Sequence, residues 1–424
     1  MEMNILSCLQ SGFTEPIRDN LWGHVYLTPA LKALTESSPF MRLHRIMQLG
    51  PAFRVYPGAT HSRAGHSIGV YHLARRLLVC LAEQGADAWL TREGVFSFLC
   101  AGLLHDLGHF PYTHSLKELP LEDHEALTAK SIQAEPLRRL VAAAGADPDF
   151  TAAIVDTGME EQGKELHFYR KLLSGVLDPD KLDYLNRDAL YCGVPYGAQD
   201  VDFIFSRLRP HEERGVDIDS RGIPSVESIL FSKYLMYRAV YWHRSVRSAT
   251  AMIKKALLSC LESGLIAGEE LYHLDDQGLF SLMEKRTDGK ALFSLAQMVR
   301  DGKLYETAAE IPFDPLLHKA LGKIQDRSGL EKSLSSALSQ GLGRLVSPEK
   351  LIIDVPEPIS FESGLFVADE GKFFGQSSSA FRPEMVDAFI KSLRVIRVFT
   401  DPEILAGIEA PGILQITKKW VQLT

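Results

Sequence analysis

Cysteine is sparse in this chain. Cys8, Cys80, Cys100, Cys192 and Cys260 are scattered and form no CxxC pair. Neither a zinc ribbon nor a disulfide framework is indicated. A reducing cytosol is the natural setting, and a cytoplasmic location is expected. Long hydrophobic runs are also missing. The longest, Val95 to Leu104, is too short and too interrupted to span a bilayer. Met1 to Gly12 lacks a basic region and a long apolar core, so neither a signal peptide nor a membrane partner is expected. Internal repeats, low-complexity tracts and long Gly/Ser linkers do not stand out. There is no surplus of positive charge: the net charge is −8. That argues against broad nucleic-acid coating but leaves room for a local basic pocket that takes phosphate. The rest is ordinary for a globular protein, 46% hydrophobic and 24% charged over 424 residues. One large domain or two to three smaller ones fit that length.

Helical periodicity dominates. Residues 62–83 place Ile68, Val70, Leu73, Leu77, Leu78 and Leu81 on one face. Residues 91–106 are apolar almost all round, with Thr91 as N-cap, and read as a central buried helix. Segments 38–49, 123–144, 150–157, 178–191, 225–263, 279–300 and 314–340 read as further helices. Residues 15–35 read as a loop or short extended lead-in. After Pro348 the texture changes. Residues 351–355, 364–368 and 395–399 are short β-branched or aromatic runs between turn residues. The expected fold class is mainly α with a small C-terminal α+β segment.

The chemistry gathers at Gly102-Leu103-Leu104-His105-Asp106-Leu107-Gly108-His109. Adjacent residues on a helix point about 100° apart. One ion can therefore take both His105 and Asp106 only where the helix ends. Leu107-Gly108 and Pro111 supply that end. His66 and Asp180 add a second imidazole and a second carboxylate. Such a mixed N/O set suits a divalent cation such as Mn, Fe, Co, Ni or Mg better than a thiolate-selecting zinc site, with Zn retained as an option. Octahedral geometry would leave two positions, one for a phosphate oxygen and one for an activated water. An isolated His-Asp dipeptide is more often a structural or surface pair. The Gly108, His109, Pro111 and His114 that follow at once set this one apart. His24, His44, His61 and His72 are read as structural or surface residues.

The pattern His66…His105-Asp106…Asp180 resembles the H…HD…D signature of the HD-domain phosphohydrolases. The likeness extends through Ala59 to Val70, Ala101 to His114 and Asp180 to Asp188, where it is similar to the deoxynucleoside triphosphate triphosphohydrolases of the SAM-and-HD-domain type. Asp19 to Gly50 and Arg238 to Arg244 share it, and 265–345 share it weakly. The resemblance implies a helical HD core over 1–265 with an N-terminal extension, a helical extension over 266–345, and the α+β segment over 346–424. No SAM domain is expected ahead of the core. It also implies cleavage of a deoxynucleoside triphosphate into nucleoside and triphosphate, by a homo-oligomer that a second nucleotide activates.

Residue by residue, His66, His105, Asp106 and Asp180 match the family's metal ligands. Arg63, three residues before His66 and so on its face, matches a phosphate-contacting arginine; its fork suits phosphate oxygens. Lys181 matches a lysine on the phosphates. Lys233 stands where the family places another basic residue, and keeps the charge without the bidentate fork. His109, His114 and His124 match three histidines around the triphosphate. One of them can donate a proton to the leaving oxygen; His124 is preferred, with His109 supporting. Tyr184 and Asp188 match residues on the sugar, and Tyr241 an aromatic packed under the deoxyribose. Asp19 resembles a residue that reads a regulatory guanine, but Asn20-Leu21-Trp22 departs from the family's surroundings, which puts that activation in doubt. Two other readings stand beside this one: an HD-type phosphodiesterase or nucleotidase, and a nucleotide-sensing HD protein without catalysis.

Overall fold

The computed structural model describes residues 4–287, 291–361, 364–378 and 380–405, together with Gln415 and Thr417. The end of the expected C-terminal segment lies outside these residues. The chain is mainly α with a small α+β portion, as expected.

Where a loop is expected at 15–35, the chain forms a hairpin of β1 (Glu15–Asp19) and β2 (Gly23–Leu27), then a helix over Pro29–Thr35. Asp19 makes the turn: its Oδ1 accepts the Leu21 and Trp22 N–H groups, both at 2.8 Å. The helix expected over 38–49 stops at Leu43. Beyond it, Met47 bridges to Ser62 and gives its N–H to Asp276, tertiary bonds that outweigh the local period.

The core helices follow. α1 spans Arg63–Glu83 and α2 spans Arg92–Leu104. Thr91 caps α2 by accepting the Gly94 N–H, and every residue from Gly94 to Leu104 is buried. An all-apolar helix belongs in the middle of a core, and α2 is there, between α1 and later helices. The stretch 123–144 is two helices, α3 (His124–Gln133) and Leu137–Ala143, broken at Pro136, which has no N–H to give. α4 covers Pro148–Val155, and α5 covers Pro179–Cys192, ending at left-handed Gly193.

After strands β3 (Leu208–His211) and β4 (Gly215–Ile218) come α6 (Ile223–Met236), a π turn at Tyr237–Tyr241, and α7 (Arg244–Glu262). The helix expected over 279–300 is described as Asp276–Thr287 and Ala291–Arg300. β5 (Glu306–Pro312) is a strand in a stretch without strand texture. α8 spans Ile324–Leu342. β6 (Leu351–Asp354), β7 (Phe366–Val367), β8 (Lys372–Phe373) and β9 (Val395–Thr400) complete the β structure. The sheets run β3-β4-β7-β8 and β5-β9-β6. They cross the expected boundaries at 265 and 346: β7 pairs with β4 of the core, and β9 sits between β5 and β6. No helix among the described residues is long and apolar enough to cross a membrane.

Candidate metal centre

His66 lies in the first turn of α1, His105 and Asp106 where α2 ends, and Asp180 in the first turn of α5. Ligand atoms of His66, His105 and Asp106 all lie within 4.8 Å of one another. Asp180 Oδ1 joins them, 3.0 Å from His66 Nε2 and 3.9 Å from His105 Nε2. The far ring nitrogens are held. His105 Nδ1 is 3.0 Å from the Gly102 carbonyl, and His66 Nδ1 is 2.8 Å from Asp183 Oδ2. Bonds of this kind fix the tautomer and aim the other nitrogen at an ion.

The residues present fit a divalent cation. His105 Nε2 is buried without a hydrogen-bond partner, a costly condition that coordination would relieve. Two imidazoles and two carboxylates without a thiolate match hard or intermediate ions. The local field agrees. Burial works to lower His66, yet the Asp180 and Asp183 carboxylates raise it to about 10. Asp106 is buried, yet His105 and Arg63 hold it well below the usual carboxylate range. The centre thus favours positive charge.

Two supports hold this geometry. Asp183 receives Arg187 Nε at 2.8 Å, Arg187 Nη2 at 2.9 Å and Trp22 Nε1 at 2.6 Å. Arg187 in turn reaches Asp19 at 2.9 Å, so the Asp19 carboxylate is engaged inside the protein. Gly69 makes the approach of α5 to α1 feasible: a Cβ there would lie 1.9 Å from Asp183 Oδ1. The second support ties down the turn after α2. Arg42 donates to the carbonyls of Leu107 at 2.5 Å and His109 at 2.7 Å. Thr128 Oγ1 accepts the Gly108 N–H at 2.8 Å and lies 2.9 Å from the His105 carbonyl. Tyr112, at φ 62°, adopts a left-handed conformation that side chains seldom take, and it opens the short helix carrying His114.

By contact, two arms leave the metal centre. One is imidazole: His109 Nδ1 is 3.3 Å from Asp106 Oδ1, His109 Nε2 is 3.1 Å from His114 Nε2, and the His109 and His124 ring centres are 4.1 Å apart. His124 Nδ1 reaches Asp123 Oδ1 at 3.1 Å. Burial, then Arg63, pushes His109 and His114 well below the ordinary histidine value. His109 is fully enclosed, whereas the His114 ring opens onto the cavity, where water offsets part of that lowering. The other arm is hydroxyl and carboxylate. The Tyr241 hydroxyl donates to Asp188 Oδ2 at 2.6 Å, and His61 Nε2 lies 2.8 Å from Asp188 Oδ1. Tyr184 meets Tyr241 edge-on, with ring centres 6.5 Å apart. His61, expected to be structural, orients this arm.

Both arms face one cavity of about 570 Å³, lined by Arg63, His66, His105, Asp106, His109, His114, His124, Asp180, Tyr184, Asp188 and Tyr241 among others. That volume is ordinary for a small-molecule site. Two expected phosphate contacts do not line it. Lys181, at the start of α5, turns back to Asp178 Oδ2 at 2.7 Å and the Gly175 carbonyl at 2.9 Å. Lys233 is buried against the C-terminal segment, with Nζ 2.8 Å from the Ser360 carbonyl. Lys181 is taken up by acceptors at the start of its own helix, and Lys233 by one that only the folded chain brings near.

The HD domain family matches residues 63–156, and the HD associated region matches 200–378. The chain thus carries an HD domain followed by an HD associated region. It is similar to the uncharacterized protein YwfO of Bacillus subtilis, 38% identical over 223 residues, which are 51% of this chain and 49% of that one. It is also similar to the deoxynucleoside triphosphate triphosphohydrolase SAMHD1 of Danio rerio, 27% identical over 295 residues, 60% of this chain and 47% of that one. The chain spans about half the length of the curated relatives it matches. The solved phosphohydrolase of Bacteroides thetaiotaomicron shares the fold, with a TM-score of 0.72 at 22% identity over 92% of this chain and all of that one.

Around the HD residues, several site residues escape the sequence reading. Asp183 and Arg187 carry a usable signal, since they continue the three-and-four spacing of Asp180, Tyr184 and Asp188 along α5. Arg42 and Trp22 carry none, because each enters the site from an element distant in sequence; Thr128 and Lys117 lie within four residues of His124 and His114, and only the fold shows what they meet.

Proposed function

We propose that the chain is a metal-dependent phosphohydrolase that cleaves deoxynucleoside triphosphates to deoxynucleoside and inorganic triphosphate. The observation that carries this reading is the Tyr241–Asp188 hydrogen bond of 2.6 Å in the cavity that also holds His66, His105, Asp106 and Asp180. The four ligands would serve many phosphate esters; the aromatic and carboxylate wall beside them suits a substrate that also carries a sugar.

His66, His105, Asp106 and Asp180 would hold a divalent ion, which would supply Lewis acidity and charge neutralisation at the phosphate. Arg63 keeps Nη1 2.9 Å from Asp106 Oδ2, and its buried Nε has no partner, so one fork edge is free for phosphate oxygen. His109 and His114, which burial and then Arg63 push down from the ordinary histidine value, offer ring nitrogens to the phosphates. His124 is the proton donor to the leaving 5′-oxygen, with its ring oriented by Asp123 Oδ1, 3.1 Å from Nδ1. Tyr241, fixed by Asp188, packs under the deoxyribose and leaves little room for a 2′-hydroxyl. The named activity of the SAMHD1 relatives agrees with this assignment. We propose further that it works in the cytoplasm as a homo-oligomer regulated by a second nucleotide, as the resemblance of its motifs implies.

The test is a panel of deoxynucleotides with Mn²⁺ or Co²⁺, with products resolved by ion chromatography. Triphosphate release is expected. Orthophosphate alone would replace this reading with a nucleotidase or phosphodiesterase. No turnover with any metal would leave a nucleotide-sensing protein.

A further inference from the structure

The cavity holds a cation that no role above uses. Lys117 lines it just beyond His114, at the end of the short helix Thr113–Leu116. Its side chain is exposed and makes no ion pair or hydrogen bond among the described residues. The residues on either side are anchored. Leu116 is buried, and Glu118 is held by Lys254 at 2.6 Å and Arg327 at 2.7 Å. The neighbours thus hold the backbone of Lys117 in place, and its exposed ammonium, whose field also reaches Asp123 and Glu125, stands at the cavity wall. After burial and Arg63, the charges of His124 and Lys117 are among those that lower His114, so the ammonium stands close to the imidazole arm.

The order of contacts gives this charge a position. From Asp106 the arm passes to His109, then to His114 and His124, and Lys117 lies past His114. The Tyr184, Asp188 and Tyr241 arm leaves the centre along α5 and the π turn instead. A substrate with its scissile phosphate at the metal centre and its sugar on the tyrosine arm extends the remaining phosphates along the imidazole arm. Lys181 and Lys233 are turned elsewhere, so Lys117 and Arg63 are the basic side chains lining the phosphate side of the cavity, apart from the ion-paired Arg247.

We infer that Lys117 binds the end of the polyphosphate chain remote from the scissile ester and so selects triphosphates over shorter phosphates. This rests on the phosphohydrolase reading above and adds the residue that senses chain length. The test is equilibrium binding by calorimetry, without turnover, of inorganic triphosphate and of orthophosphate to the metal-loaded chain and to Lys117→Ala and Lys117→Arg. Lys117→Ala is expected to weaken triphosphate about 10-fold and orthophosphate less than twofold, with Lys117→Arg close to the parent. An unchanged triphosphate affinity in Lys117→Ala, or an equal loss for both anions, overturns the assignment. Neither result touches the hydrolytic reading, which the product analysis tests separately. Because the Lys117 side chain is exposed, an unchanged melting temperature for both variants checks that the fold is intact.

Discussion

His124 differs from the other two histidines of its arm in its partner. Asp123, which is not a candidate ligand, lies 3.1 Å from its Nδ1, whereas the carboxylate beside His109 Nδ1 is that of Asp106, 3.3 Å away. Replacing His124 with Asn is expected to lower kcat by about 10²–10⁴ with metal content unchanged by elemental analysis. Asp106→Ala, by contrast, should lose metal and activity together. Metal loss in the His124 variant would make that residue a ligand instead of the proton donor. A second residue-scale prediction concerns pH. Asp276 is mostly enclosed and accepts the Met47 N–H at 2.9 Å; burial raises its carboxyl to about 6. A raised carboxyl stabilises the fold at low pH, and that contribution is lost as pH rises through about 6. Asp276→Asn keeps an acceptor for Met47 and removes the charge. Its melting temperature should rise by roughly 2 °C at pH 8 and stay near the parent at pH 4. Equal shifts at both values would refute the linkage.

Among the elements, the junction of α2 with α3 sets the site's tolerance. A Cβ on Gly108 would lie 2.0 Å from the His124 carbonyl and 2.6 Å from the Thr128 N–H. Both are backbone atoms, so α3 must shift as a unit and carry His124 with it. Gly108→Ala should cost about 1–3 kcal/mol in urea unfolding and lower kcat more than it raises KM. A variant with parent kinetics would show that α3 can slide freely. Secondary structure was legible where the local period and the packing agree. α1, α2 and α5 follow the sequence to within one or two residues at each end. β5 was not legible, because Glu306-Thr307-Ala308-Ala309 has little strand propensity of its own; pairing with β9 makes it a strand. The helix expected across Met47 fails for the same kind of reason.

At the scale of the whole molecule, buried ion pairs lock the C-terminal segment onto the core. Arg247 of α7 meets Asp354 of β6 at 2.6 and 2.8 Å and Glu357 at 3.4 Å, while Lys254 spans Glu357 and Glu118. These groups join the strand segment, α7 and the turn that carries Lys117. Asp354→Ala leaves Arg247 buried with a weakened counter-charge and should cost about 3–5 kcal/mol, read as a lower urea midpoint. A loss below about 1 kcal/mol would mean that Glu357 alone suffices. The C-terminal segment is therefore part of the cavity wall, through Glu357, Pro358 and Ile359.

The sequence alone determined the kind of chemistry. Residue type decides which atoms can hold a cation, and the helix-ending glycine beside His105-Asp106 is a local feature that needs no tertiary context. The helical class likewise follows from the spacing of apolar residues. Only the tertiary structure decided which cations face the substrate. A lysine's flexible stem reaches whatever acceptor the fold brings near. Hence Lys181 and Lys233 turn to Asp178 and Ser360, while Lys117, held between two anchored neighbours, points into the cavity.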